Sequence, residues 1–312
     1  MVEDLTESDN VCIAARDIDG DGKVEVAVGA QWNPSETSDT LKSGSVHYLI
    51  RPNDPTQKWQ PIELHHEPTV HRMKWVKTGA KSYQLVVLPL HGLGNKNGEG
   101  NGVNLIAYEM PKDPTQKWKY QIIDNSMHLT HNMELVGKGN NEWLYVGGKE
   151  GIKVFSFENG KWSAPKNGAW FVQGKSFGEI RSGLTKGQPL FMAGVEPMHG
   201  NQLTVYLKKD SLTRTVLASD LNQGHALAIA DLFNSGEQQI VIGWREPNQE
   251  KKTGIKIFVQ PGASGTWKDY WIDDNGIACE DLQIADLDGD GKKDIIAAGR
   301  ATHNLKIYWN RN

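Results

Sequence analysis

Apolar and polar positions alternate along this chain with a period of two. The alternating runs are roughly four to eight residues long and are separated by Gly-, Asn- and Asp-rich turns, the pattern of half-buried β-strands. No 3.6-residue helical period intervenes between them. The runs also repeat as a group. "DIDGDGKVEVAVGA" (17–30) and "DLDGDGKKDIIAAG" (286–299) each read strand, carboxylate turn, strand. The same frame with its carboxylates eroded recurs in "HRMKWVKTGAKSYQLVVLP", "HNMELVGKGNNEWLYVGG", "EIRSGLTKGQPLFMAG" and "HALAIADLFNSGEQQIVIGW", giving six copies. A third strand follows each ("GSVHYLI", "VNLIAYEM", "GIKVFSF", "QLTVYLK", "GIKIFVQ", "NLKIYW"), and a Trp-bearing turn leads to a fourth in "KWQPIEL", "KWKYQII" and "TWKDYWI".

Four antiparallel strands per repeat predict an all-β fold, a β-propeller of four-stranded blades, with residues 1–312 forming a single propeller domain. The sixth copy stops after its third strand. The opening "VEDLTESDN" resembles the fourth-strand segments "YQIIDNS" and "YWIDDNG", so the N-terminus is expected to complete the last blade. "DPTQKW" at 54–59 and again at 113–118 then becomes one blade turn used twice. Its tryptophans are expected to pack the outer blades.

Composition narrows the function classes. A 38% hydrophobic, 23% charged chain with 33 glycines is turn-rich and globular, and its net charge of -4 argues against a nucleic-acid surface. No run approaches the ~20 apolar residues of a membrane span, and no signal peptide is visible. Two cysteines, Cys12 and Cys279, are too few for a disulfide framework and are read as reduced core residues or as a pair. "GLGNKNGEGNG" (92–102) does not open a helix and is read as a flexible loop.

The two carboxylate turns place oxygens at positions 1, 3, 5 and 9, from Asp17, Asp19, Asp21 and Glu25 and from Asp286, Asp288, Asp290 and Asp294. Converging oxygens suit Ca²⁺, here in a strand-to-strand turn similar to the FG-GAP or VCBS repeats of integrin-like propellers. Calcium turns favour a calcium-rich compartment, periplasmic or secreted.

Superposing the six copies exposes two polar positions. Six residues before the turn stand Val11, His71, His131, Glu179, His225 and Glu280. First strands of blades line a propeller axis, so these are expected to converge as a channel site for Zn²⁺ or a similar divalent transition metal. Just past each second strand stand Gln31, His91, Lys149, Glu196, Arg245 and Arg300, candidates for acid, base and charge-neutralising groups. His199 and His303 lie in loops after second strands. His47, His65, His66 and His128 are read as ordinary packing or surface residues.

"VHRMK", "HLTHN", "VEPMHGNQLTVY" and "GHALAIADL", in this order and spacing, resemble the propeller domain of aldos-2-ulose dehydratase and related bacterial propellers. The resemblance implies a metal-holding cleft that eliminates water from a keto-sugar such as 1,5-anhydrofructose, with His71, His131 and His199 as the matching cleft histidines. That family's propeller has seven blades where this chain shows six. Its cupin and lectin-like domains are not seen here, so its isomerase activity is not carried over.

The expectation is a metal-dependent carbohydrate lyase or dehydratase performing β-elimination on a keto-sugar or uronate. Its metal set would be His71, His131, His225, Glu280 and Glu179. Its base would be His91 or His199, with Glu196, Arg245 and Lys149 assisting. Two alternatives stand beside it. One is a non-catalytic propeller that binds glycan or protein. The other is a glycoside hydrolase using a carboxylate pair from Glu179, Glu196 and Glu280.

Overall fold

The computed structural model describes residues 9–138, 140–165, 168–184, 190–208, 211–260, 262 and 265–311. Among them there is no helix, and thus none long and apolar enough to cross a membrane. The fold is a six-bladed β-propeller. Its blades fall into two compact units, residues 1–175 and 176–312.

The first unit holds three blades. Blade 1 is β1 (Cys12–Arg16), β2 (Glu25–Ala30), β3 (Ser45–Ile50) and β4 (Gln60–Glu63). Blade 2 is β5 (Val70–Gly79), β6 (Ser82–Pro89), β7 (Leu105–Glu109) and β8 (Lys119–Asp124). Blade 3 is β9 (Thr130–Lys138), β10 (Asn141–Gly148) and β11 (Gly151–Glu158), whose outer edge is shared by β12 (Lys161–Ser163) and β13 (Trp170–Gln173). In the second unit, blade 4 is β14 (Ile180–Gly183), β15 (Phe191–Glu196), β16 (Gln202–Lys208) and β17 (Leu212–Ala218). Blade 5 is β18 (Gly224–Ala230), β19 (Gln239–Trp244), β20 (Gly254–Val259) and β21 (Lys268–Asp274). Blade 6 is β22 (Cys279–Ala285), β23 (Asp294–Gly299) and β24 (Asn304–Tyr308). Every pairing is antiparallel, and all join strands consecutive in sequence except β11 with β13. Residues 2–8 of the segment expected to supply a fourth strand to blade 6, and the turn "TKGQP" of blade 4, lie outside the described residues.

Period-two alternation becomes packing between blades. On β6, Leu85 and Val87 face blade 1 and join Ala27, Tyr48 and Trp75, while Val86 and Leu88 face blade 3 and join Met133, Leu144 and Phe155. On β19, Ile240 and Ile242 pack toward blade 4 and Val241 toward blade 6. Each fully buried aliphatic side chain contributes about 1.5–3 kcal/mol.

The duplicated hexapeptide builds one turn twice. Asp54 and Asp113 each accept from the backbone N–H and the hydroxyl of the Thr two residues on, at 2.9 and 2.7 Å and at 3.0 and 2.7 Å. Trp118 is buried against Tyr48 and Trp75, and Trp59 lies under the Arg51 guanidinium, so both tryptophans are packing residues. Neighbouring blades are clipped by a further repeated device. The Asp that ends a fourth strand takes the Lys of the next blade's third strand, Asp124 with Lys153 at 3.0 Å and Asp273 with Lys306 at 2.7 Å. Cys12 and Cys279 are free thiols, and burial pushes the Cys12 thiol up to about 12.

Candidate functional site

The first polar position of the repeat coincides with a backbone irregularity. Between β5 and β6, Val70 pairs with Pro89 and Arg72 with Leu88, so His71 is the extra residue of a β-bulge. His131 is skipped in the same way between the pairs Thr130–Gly148 and Asn132–Gly147, and His225 between Gly224–Trp244 and Ala226–Gly243. Glu280 is skipped between Cys279–Gly299 and Asp281–Ala298. In blade 4, Val195 faces two residues: its carbonyl accepts from Gly178 N–H and its N–H donates to Glu179. An extra residue leaves the ladder and its side chain is re-aimed, which is why bulges accompany binding sites. Five of the six frame positions are therefore bulged. Val11, the apolar member, stands before the register of β1.

In the first unit the bulge residues are packed together. The His71 ring stacks on Trp32 with centroids 4.9 Å apart and meets His131 edge-on at 4.6 Å. Both histidines are buried. The second-position residues of this unit make contacts of their own. The Lys149 ammonium donates to the Gly98 carbonyl at 3.2 Å. His91 pairs in a single bridge with Leu129, and its imidazole pKa is lowered by desolvation, opposed by a hydrogen bond to Asn95. The glycine-rich loop at 92–102 is pinned. Buried Asn95 donates to the carbonyls of Asn101 and His128 and accepts from Gly98 N–H, and a Cβ on Gly102 would collide with the Asn125 carbonyl. The flexibility expected of this loop is thus replaced by a fixed platform, because its turn amides are satisfied within the blade.

In the second unit four polar side chains converge. His225 Nδ1 lies 2.5 Å from the Glu280 carbonyl oxygen. A carbonyl only accepts, so Nδ1 carries a proton, and in the neutral ring Nε2 then holds the lone pair, the tautomer a metal-ligating imidazole needs. That Nε2 stands 3.9 Å from Glu280 Oε1. Arg245 reaches the Glu280 carboxylate at 3.3 Å, Gln223 Oε1 at 2.7 Å and His199 Nδ1 at 3.4 Å. A guanidinium only donates, so His199 Nδ1 is the acceptor. The His199 and His225 rings are 5.0 Å apart, and Arg300 lies 3.9 Å from Glu280. Two further predicted residues are otherwise engaged. Buried Glu179 pairs with Arg181 at 3.3 Å. Glu196 accepts from Thr204, Tyr206 and Arg214 at 2.7, 2.5 and 2.8 Å, and burial followed by this carboxylate drives the Tyr206 pKa up. Both Glu196 oxygens are committed within blade 4, to side chains of β16 and β17.

The other histidines separate into kinds. His47 lies on β3, and His65 follows β4 and stacks on Tyr120 at 4.3 Å. His66 sits near Glu63, with its pKa lowered by desolvation. His303, in the loop after β23, has a positive φ of 49°. His128 is different: its ring Nδ1 meets Glu150 at 2.9 Å.

Both carboxylate turns share one hydrogen-bond frame. The position-1 Asp accepts from two glycine N–H groups, and the position-9 carboxylate accepts from the residue after position 1, Ile18 to Glu25 at 2.9 Å and Leu287 to Asp294 at 3.1 Å. Blade 5 keeps this frame with Asp231, Ser235 and Gln239.

A family model described as "Aldos-2-ulose dehydratase, beta-propeller domain" matches residues 43–209, more than half of the chain. No curated protein matches it. Among solved structures, one from Bacteroides uniformis ATCC 8492, named as a proposed 6-phosphogluconolactonase, superposes with a TM-score of 0.59 at 11% identity, covering 96% of this chain and 80% of that one. At that identity the likeness is one of fold.

Proposed function

The chain belongs to the aldos-2-ulose dehydratase β-propeller family, and from that membership we propose that it is a metal-dependent carbohydrate lyase that removes water from a keto-sugar. The observation that carries the proposal is the repeated bulge, which turns a His or Glu out of the ladder at the same position in blade after blade. His225 and Glu280 are the proposed ligands in the second unit, since Nε2 and Oε1 face each other across 3.9 Å with the tautomer already set. His71 and His131 are the corresponding candidates of the first unit. A divalent ion held by such a set supplies Lewis acidity toward a carbonyl oxygen.

The remaining chemistry falls to the chain's own side chains. In β-elimination a base takes the proton next to the carbonyl, the electron pair forms the C=C bond, and the β-oxygen leaves as water after receiving a proton. His199, set beside Arg245, is the second unit's candidate base, and His91 is the first unit's. Arg245 and Lys149 supply positive charge where negative charge builds up. Incubation of the metal-loaded protein with 1,5-anhydrofructose tests the proposal. Absorbance of a conjugated unsaturated ketone should grow, stop on chelation and return with metal. A metal-replete protein that leaves a panel of keto-sugars unchanged would overturn it.

We also propose Ca²⁺ in the first carboxylate turn. Blade 5 builds the same turn with Ser235 and Gln239 in place of two of the acids, so the frame does not need the full set of charges. Asp17, Asp19 and Glu25 nevertheless bring oxygens within 4.8 Å of one another, and desolvation, with the Asp19 and Asp21 charges, raises the Glu25 pKa. In the last turn Arg311 reaches Asp288 at 2.8 Å and Asp290 at 3.8 Å and balances that charge internally. Calcium at a hundredfold excess over its Kd is expected to add about 2.7 kcal/mol of stability. Asp19→Asn should abolish the rise in Tm, and an undiminished rise in that variant would exclude this turn.

A further inference from the structure

Resting on the lyase reading, we propose that His128 and Glu150 form a second proton-transfer dyad, in which His128 Nε2 exchanges the proton with substrate and Glu150 is its positioning residue. Glu150 Oε1 accepts twice from the same residue, from His128 Nδ1 at 2.9 Å and from His128 N–H at 3.0 Å. A carboxylate cannot donate when ionised, so Nδ1 holds its proton against Glu150 and Nε2 is the nitrogen left to give or take one. The two contacts to one oxygen fix the ring relative to its own backbone, which a surface histidine does not need. Glu150 Oε2 is buried and accepts no hydrogen bond, so the hydrogen bonds described for this carboxylate run through Oε1 to His128.

The backbone around the dyad is equally constrained. The His128 carbonyl accepts from Asn95 at 3.0 Å, Lys149 N–H donates to the Leu129 carbonyl at 2.8 Å, and Gly174 N–H donates to the Glu150 carbonyl at 2.8 Å. Leu129, the residue after His128, bridges His91, so the backbone of the dyad runs beside a histidine whose pKa is lowered by desolvation. The His128 side chain remains 40% exposed, which leaves Nε2 reachable. A histidine base and a carboxylate-held imidazole are the two kinds of proton carrier that elimination requires. No other described blade repeats the pair. In blade 5 the equivalent residues are Asn222 and Glu246, joined through backbone instead.

The test uses the metal-loaded full chain with 1,5-anhydrofructose and histidine-detected ¹H–¹⁵N NMR. Glu150→Gln is expected to lower kcat about 10- to 100-fold with KM nearly unchanged, Glu150→Asp to recover most of it, and His128→Gln to lower kcat by about 10²–10⁴-fold. His65→Gln, remote on an outer blade edge, should behave as wild type. NMR should show the His128 proton on Nδ1 in wild type and tautomer exchange in Glu150→Leu. Unchanged kcat in both Glu150→Gln and His128→Gln, with wild type active, overturns the dyad alone. Should wild type turn over no keto-sugar, the lyase reading falls, and a His128 proton found on Nε2 in the same protein would remove the dyad as well.

Discussion

Replacing His225 with alanine is expected to strip the protein of its transition metal. Purified wild type should carry about one divalent transition-metal ion per chain. The variant should carry almost none, and any elimination activity should fall by at least about 100-fold, the scale reached even by disturbing residues behind metal ligands. The reason is local. Nδ1 is held by the Glu280 carbonyl, which aims Nε2 toward Glu280 Oε1. Removing the ring deletes a nitrogen donor held in place by the Glu280 carbonyl and leaves a carboxylate already shared with Arg245. Elemental analysis by mass spectrometry reads the result directly. His131→Ala, run in parallel, asks the same question of the first unit. Calcium alone, unaltered by either substitution, would show that the bulge histidines are not metal ligands and would turn attention to glycan binding by a non-catalytic propeller.

The second large effect concerns stability. Gly151→Ala is expected to destabilise the protein by about 3 kcal/mol, the upper range for overpacking a site that cannot relax. This lowers Tm by on the order of 5 °C. Gly151 opens β11 with a φ of +142°, a conformation costly for any other residue, and a Cβ there would penetrate the Val172 carbonyl of β13. The obstacle is backbone, which no rotamer change removes. Gly254 repeats the arrangement in blade 5 at φ +149° against the Asp273 carbonyl. Gly137→Ala is the control, since nothing lies within 4 Å of its Cβ and its φ is ordinary. Thermal unfolding distinguishes the two, and equal Tm values would mean that blade 3 tolerates displacement of β13.

Much of this was legible in the chain. Alternation with period two specified strands, six copies of one frame specified blades, and an identical hexapeptide specified an identical Asx turn, because these depend on neighbours close in sequence. The frame also ranked the bulge residues as special before any contact was known. Pairing register lay beyond its reach. Whether a residue joins the ladder or is skipped depends on the strand opposite, so the bulges at His71, His131, His225 and Glu280 belong to the tertiary structure. Partner choice was hidden for the same reason. Glu196 shares its repeat position with Arg245, yet Tyr206 on β16 and Arg214 on β17 hold its carboxylate, while Arg245 turns to Glu280 in the next blade. His128 looked ordinary until Glu150, 22 residues away, was seen to hold its ring. The sequence by itself determined a bladed fold and the positions able to carry chemistry, since local periodicity encodes both. Only the tertiary structure decided which of those side chains are free to act and which are bound into the blade, since that is settled by hydrogen-bond partners distant in sequence.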